Sequence, residues 1–98
     1  MTKISSKFAQ VQTDPDTRIK AQRQVSIGGI DALYQRWVWD GVIGESLIFC
    51  AEDIPGLTDR GIEEMVGKAG IDLASGKYDA VVRRTEKGFV FVNYGFET

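Results

Sequence analysis

The groups that most often do chemistry in enzymes are scarce in this sequence. Its 98 residues include no histidine, so the chain cannot form a Ser-His or Cys-His nucleophile pair or a zinc site that uses imidazole. The single cysteine, Cys50, lies in the apolar run 47–51, where a thiol usually behaves as a small hydrophobic side chain. We therefore expect neither an enzyme nor a bound cofactor or metal. An enzyme that works without histidine is the third alternative.

An acidic stretch indicates a binding function. The span 45–64 contains six carboxylates and one opposing cation, Arg60. Adjacent carboxylates on a strand or helix point in different directions, so their sequence pairing is no sign of acid-base catalysis. Such a span can instead dock on a basic protein partner of unknown identity. The predicted partner-binding residues are Glu52, Asp53, Asp59, Glu63 and Glu64.

Aromatic residues interleaved with arginines give the alternative function, the binding of single-stranded nucleic acid. On an exposed sheet face, aromatic rings stack on bases and arginines contact phosphates. The residues predicted for this role are Arg36, Trp37, Trp39, Arg83 and Arg84. The opposing interpretation is that the tryptophans belong to the core, because burial of large aromatic rings stabilises a fold strongly.

The charge is unevenly distributed along the chain. Residues 1–27 contain five basic and two acidic residues, whereas the remainder contains seven basic and twelve acidic residues, for a net charge of −2. Overall acidity argues against a dedicated non-specific DNA-binding protein, because that affinity comes mainly from neutralised phosphates. We rank a small acidic regulatory protein that acts through protein-protein contacts first.

The length and composition predict one domain over residues 1–98, with residues 1–7 as a flexible arm. The N-terminus lacks the apolar region of a signal peptide, and no apolar run approaches the roughly 18 residues of a membrane span. We expect a cytoplasmic protein that does not contact membranes.

The elements that must position these residues are mainly strands. Asp40-Gly41 lies between two β-prone segments, which is typical of a two-residue hairpin turn, and Gly28-Gly29 ends an alternating strand over 18–27. Residues 8–12 also alternate and predict a short strand. Residues 30–38 fit either a strand or an amphipathic helix, and the aromatic content favours the strand.

One helix follows the first strands. Thr58 is suited to cap it, an apolar stripe runs along it, and Gly70 is placed to end it. A second hairpin, 79–85 with 89–96, closes through a loop at 86–88. Its last strand is apolar on both sides, which indicates a central strand, or a strand whose second face meets the helix or another subunit.

The sequence thus predicts an α+β fold, an antiparallel sheet of about five to six strands with one helix packed on one face, in the order ββββαββ. A helix of about 12 residues is only about 18 Å long and cannot cover both faces. We expect the other face to bind a ligand or a second subunit, which makes a homodimer the expected assembly.

Overall fold

The computed structural model describes residues 4–12, 15–68 and 81–97, which form a five-stranded antiparallel sheet with little helix. The strands lie in the order β1-β2-β3-β5-β4, so that β5 is internal, as predicted. The elements are β1 Arg18–Ile27, β2 Ile30–Trp39, β3 Val42–Cys50, α1 Asp59–Lys68, β4 Val81–Arg84 and β5 Phe89–Glu97, with 3-10 turns at Ser6–Phe8 and Ala51–Asp53.

Two tight turns set the register of the first three strands. Gly28 and Gly29 connect β1 to β2 with φ angles of 58° and 83°, and Asp40 and Gly41 connect β2 to β3 with φ angles of 47° and 79°. Both central residues of each turn therefore have positive φ, the geometry whose twist matches that of the flanking strands. The predicted Asp-Gly hairpin is confirmed, and so is the strand interpretation of 30–38.

The prediction of four strands before the helix is wrong. Residues 8–12 form no strand, and the order of the described elements is βββαββ. The chain instead makes a 3-10 turn whose Phe8 is 4% exposed and packs on the face of the sheet. Alternation over five residues failed as a strand signal because Phe8 buries its ring without a backbone ladder.

The face that carries the helix, here called the helix-side face, is a continuous apolar cluster. Ile62 of α1 is completely buried in it, and the Thr58 hydroxyl caps the helix by accepting a hydrogen bond from the Gly61 amide at 3.1 Å. The cluster also includes Ile54, and Leu57 packs against it, so the connection between β3 and α1 shares the covering role that we assigned to the helix alone. The strands supply Ile27, Ala32, Tyr34, Leu47, Phe49, Val90 and Val92.

The opposite face, here called the aromatic face, is apolar at one end only. Leu33, Ile48, Cys50 and Phe91 form a cluster there together with Phe89, and the N-terminal segment, residues 4–12, covers it through Phe8. The predicted interior role of Cys50 agrees with this position: burial raises the pKa of its thiol, and the negative charge of Asp53 adds to the effect. The other end of this face carries the tryptophans.

An irregularity in β1 changes which side chains share a face. The register pairs Ile19 with Trp37 and Ala21 with Arg36, which leaves Lys20 without a partner on β2. This bulge transfers Ile19 to the side of Trp37, whereas simple alternation predicts it on the side of Ala21, Val25 and Ile27.

Candidate functional site

Two tryptophans define the candidate site at the uncovered end of the aromatic face. Trp37 and Trp39 lie two residues apart on β2 and therefore point to the same side of the sheet. Trp37 is half-buried, whereas 46% of Trp39 is exposed, an unusual exposure for the largest apolar side chain. The hypothesis that both tryptophans are core residues is thus wrong for Trp39.

A chain of hydrogen bonds across three strands fixes the ring of Trp37. Its indole Nε1 donates to Ser46 Oγ at 2.7 Å, and Ser46 Oγ donates to Asn93 Oδ1 at 2.6 Å. Both Ser46 and Asn93 follow from the register, because Trp37 lies beside Gly44 on β3 and Ser46 lies opposite Asn93 on β5. The network holds the indole in one orientation and leaves the Asn93 Nδ2 group available as a donor.

Glutamines continue the polar surface toward β1. Gln35 Nε2 donates to Gln22 Oε1 at 2.8 Å, across the β1–β2 pair in which the two residues are direct neighbours. Gln35 is only 4% exposed, so its amide is held within the sheet surface rather than free in solvent. A fixed amide presents a donor and an acceptor in one plane, which suits the edge of a nucleobase.

One cation lies beside this surface. The Arg83 guanidinium carbon is 4.5 Å from the centre of the Phe91 ring, its cross-strand neighbour on β5. Stacking on an aromatic ring leaves the in-plane N–H donors of a guanidinium free to bind an anion.

These side chains enclose an open cavity of about 250 Å³, here called the aromatic cavity. Among the described residues that line it, Arg83 is the only charged one and none is acidic. The lining consists of the amides Gln12, Gln35 and Asn93, the hydroxyls Thr17 and Ser46, the rings Trp37, Trp39 and Phe91, and Arg83. Rings, planar amides and a single cation favour a flat ligand that carries negative charge.

The structure brings together three of the five residues predicted to contact nucleic acid. Trp37, Trp39 and Arg83 line the aromatic cavity, but Arg36 and Arg84 belong to the other face. Arg84 donates to the backbone oxygen of Leu57 and to Asp59, both at 3.0 Å, and so fastens β4 to the start of α1.

The predicted acidic docking residues do not form one surface of unpaired charge. Asp53 pairs with Lys7 at 3.2 Å, Asp59 with Arg84 at 3.0 Å and Glu64 with Arg60 at 3.4 Å. Glu52 is exposed, and the Glu63 side chain lies outside the described part of the chain. Their role in binding a protein partner stays a prediction.

Sequence reasoning missed the polar residues of the cavity, Gln12, Thr17, Gln35, Ser46 and Asn93. A signal for the last two existed: Ser46 directly precedes an apolar run in its strand, and Asn93 directly follows one. A buried polar side chain requires a hydrogen-bond partner, and the two residues satisfy each other.

A buried polar pair, Tyr34 with Glu45, lies in the helix-side face and is covered by other parts of the protein. The Tyr34 hydroxyl donates to the buried carboxylate of Glu45, and the Arg23 guanidinium stacks 4.5 Å from the Tyr34 ring centre. Burial, with the hydrogen bond to Glu45, raises the pKa of Tyr34 to about 12. Tyr34 therefore keeps its proton throughout the physiological range, and its hydrogen bond to Glu45 has a structural role.

No protein-family model, curated protein or solved structure matches this chain. In the described ranges, no group of three or more cysteine, aspartate or glutamate side chains is placed to hold a metal ion. No α-helix in the same ranges is long and apolar enough to cross a membrane.

Proposed function

We propose that the protein is a non-enzymatic binding protein and that the aromatic cavity receives a base of a single-stranded nucleic acid. The observation that carries this proposal is the joint placement of Trp37, Trp39 and Arg83 around one cavity that has no acidic lining residue among the described ones. Stacking on an aromatic ring contributes about 1–3 kcal/mol per base and tolerates any base, because every base has a π-face.

The ligand is single-stranded because the site is a concavity at the end of a sheet face. A base in a duplex is stacked on both sides and cannot enter a cavity of about 250 Å³, whereas an unpaired base can. The amides of Gln35 and Asn93 then lie at the rim of the stacked ring, where they can exchange hydrogen bonds with its edge.

The charge of the site predicts that the affinity for nucleic acid depends only weakly on salt concentration. With Arg83 as the one cation among the described lining residues, binding neutralises about one phosphate, so the slope of log affinity against log salt is about −0.7. A non-specific binder that neutralises many phosphates has a much steeper slope. Stacking therefore supplies most of the affinity, and a net charge of −2 is compatible with it.

The test is a titration of tryptophan fluorescence with a single-stranded DNA decamer, its duplex and an uncharged oligosaccharide. We expect quenching by the single strand, little response to the duplex, and a loss of affinity of at least about fivefold in Trp39→Ala. Arg83→Gln is compared with Lys87→Gln, which removes the same charge from an exposed position in the same hairpin outside the cavity. Quenching by the oligosaccharide alone would overturn the nucleic-acid proposal.

The alternative, a protein partner for the acidic residues, has less support from the geometry. Three of its five carboxylates already have a basic partner within the chain, which lowers the charge they offer to a second protein. The homodimer stays a prediction, and light scattering on a sizing column measures it directly.

A further inference from the structure

A second cavity, here called the N-terminal cavity, lies on the same face of the sheet. Its volume is about 330 Å³, and the N-terminal segment forms one wall while β1 and β2 form the other. Phe8 and Val11 line it from the segment, and Gln22, Leu33 and Gln35 line it from the sheet. It is large enough for one further planar group of the size that the aromatic cavity accepts.

The two cavities are adjacent at two points. Gln35 lines both of them, and the consecutive residues Val11 and Gln12 line one each. On β2 the side chains of Leu33, Gln35 and Trp37 share one face at successive positions. Leu33 lines the N-terminal cavity and Trp37 the aromatic cavity, and each lies about 7 Å along the strand from Gln35. The Gln22–Gln35 amide pair thus separates two neighbouring compartments of one groove.

The chemistry of the N-terminal cavity differs from that of its neighbour. None of the described residues that line it is charged, and apolar side chains with one aromatic ring, Phe8, alternate there with serines and glutamines. This lining suits a flat, uncharged group and offers no charged partner to a phosphate.

The N-terminal wall is fastened to the sheet. The Ser5 amide donates to Gln24 Oε1 at 2.7 Å, the Lys7 ammonium contacts Asp31 at 3.5 Å and Asp53 at 3.2 Å, and the buried Phe8 packs beneath them. The hydrogen bonds that Lys7 makes with Asp53 and Asp31 raise its pKa, so it stays charged near neutral pH.

We propose that the N-terminal cavity is a second base subsite, so that the groove holds two adjacent nucleotides of one strand. This inference rests on the proposed function of the aromatic cavity. It adds that the smallest fully bound unit is a dinucleotide, with the Gln22–Gln35 pair between the two bases.

The experiment compares thymidine 5′-monophosphate with the dinucleotide pdTpdT by tryptophan fluorescence and calorimetry. We expect the dinucleotide to bind roughly tenfold more tightly than the mononucleotide, because a second base gains contacts. A third nucleotide adds little, since the groove offers two compartments.

Two variants fill the N-terminal cavity from different positions of the N-terminal segment: Val11→Phe from a half-buried position and Ser6→Phe from an exposed one. Each should abolish the advantage of the dinucleotide and keep mononucleotide affinity within about twofold. Ser26→Phe, at an exposed β1 position that lines neither cavity, is the matched control and should bind both ligands as the wild type does.

The outcomes separate this inference from the proposed function. If the mononucleotide binds and the dinucleotide binds no more tightly, the second subsite is refuted while the first stands. Loss of mononucleotide binding in both filled variants, with near-ultraviolet circular dichroism unchanged, also refutes it, because the compartments would then be one site. If the wild type binds no oligonucleotide at low salt, both proposals fall.

Discussion

The two faces of the sheet differ in how their apolar and polar side chains are covered. On the helix-side face, apolar side chains from four strands meet Ile62 and Ile54, and the buried polar pair, Tyr34 with Glu45, is satisfied within the protein. On the aromatic face, the apolar cluster under Phe8 ends midway along β2, and beyond it rings and amides surround a cavity. The same strands thus supply a closed core on one side and an open cavity lined by rings and amides on the other.

The difference shows how polar residues distinguish a core from a site. Both faces contain buried polar side chains with hydrogen bonds, so burial alone does not separate them. Tyr34 and Glu45 direct their polar atoms at each other, whereas Gln35 and Asn93 bond to neighbours in the plane of the sheet and keep a second amide atom for another partner. Unused hydrogen-bonding capacity beside the exposed Trp39 ring is the feature on which the proposed binding site rests.

The largest expected difference between the two faces is the loss of stability when an aromatic ring is removed. Phe49→Ala removes a fully buried ring of the helix-side face and should lower the free energy of unfolding by about 3–5 kcal/mol. Trp39→Ala removes a larger but exposed ring and should cost less than about 1 kcal/mol. Urea denaturation of both variants checks this, and equal losses would show that the aromatic face is core.

The next prediction concerns alkaline pH. The folded-state pKa of Tyr34, about 12, lies above its ordinary value of 10.0, so the folded state retains a proton that the unfolded chain releases. The resulting stabilisation is complete below pH 10 and is lost as pH rises toward 12, on the order of 2–3 kcal/mol in total.

Tyr34→Phe isolates this contribution, because the other groups that titrate at high pH are unchanged. Unfolding midpoints measured from pH 8 to pH 11.5 should fall more steeply in the wild type than in the variant. Parallel curves would show that Tyr34 is not desolvated in the helix-side face.

A smaller loss is expected from Ser46→Ala on the aromatic face. The substitution removes the acceptor of the Trp37 indole and the donor to Asn93, at a cost of about 1–2 kcal/mol in stability. Single-strand affinity should fall as well, since the Trp37 ring loses its fixed orientation. Ser26→Ala, at an exposed position in β1, is the control, and an equal effect there would show that the hydrogen bonds of Ser46 add nothing to stability or affinity.

The smallest effect is expected where exposed charges connect elements. Arg84→Gln breaks its ion pair with Asp59, in which both side chains are largely exposed, and should change stability by less than about 1 kcal/mol. Adding salt should shrink the difference from the wild type further. A loss that exceeds that of Ser46→Ala would mean that the contact with the Leu57 backbone matters more than the ion pair.

Much of the fold is readable from the sequence because local chemistry determines it. Asp40-Gly41 and Gly28-Gly29 favour the positive φ angles that the two turns have, and the two-sided apolar pattern of β5 is typical of the internal place that it takes in the sheet. The placement of the N-terminal segment is not readable in this way, because the packing of Phe8 on a distant cluster has no local signature.

The site was only partly readable for a related reason. Strand alternation already separates Arg36 from Trp37 and Arg84 from Arg83, so two of the five predicted residues could have been excluded from a shared face. The bond from Ser46 to Asn93 spans 47 residues and depends on how β3 pairs with β5, which alternation within one strand cannot supply.

The bulge at Lys20 has a consequence for how copies of this chain can meet. β1 is the outer strand on its side of the sheet and, at ten residues, offers a long row of backbone groups for a neighbour to extend. The unpartnered Lys20 interrupts the even spacing of that row, so a foreign strand that follows residues 21–27 falls out of step before it reaches Arg18. The irregularity thus interrupts the outer edge of β1, where unbroken strand pairing with a second copy of the chain would otherwise start.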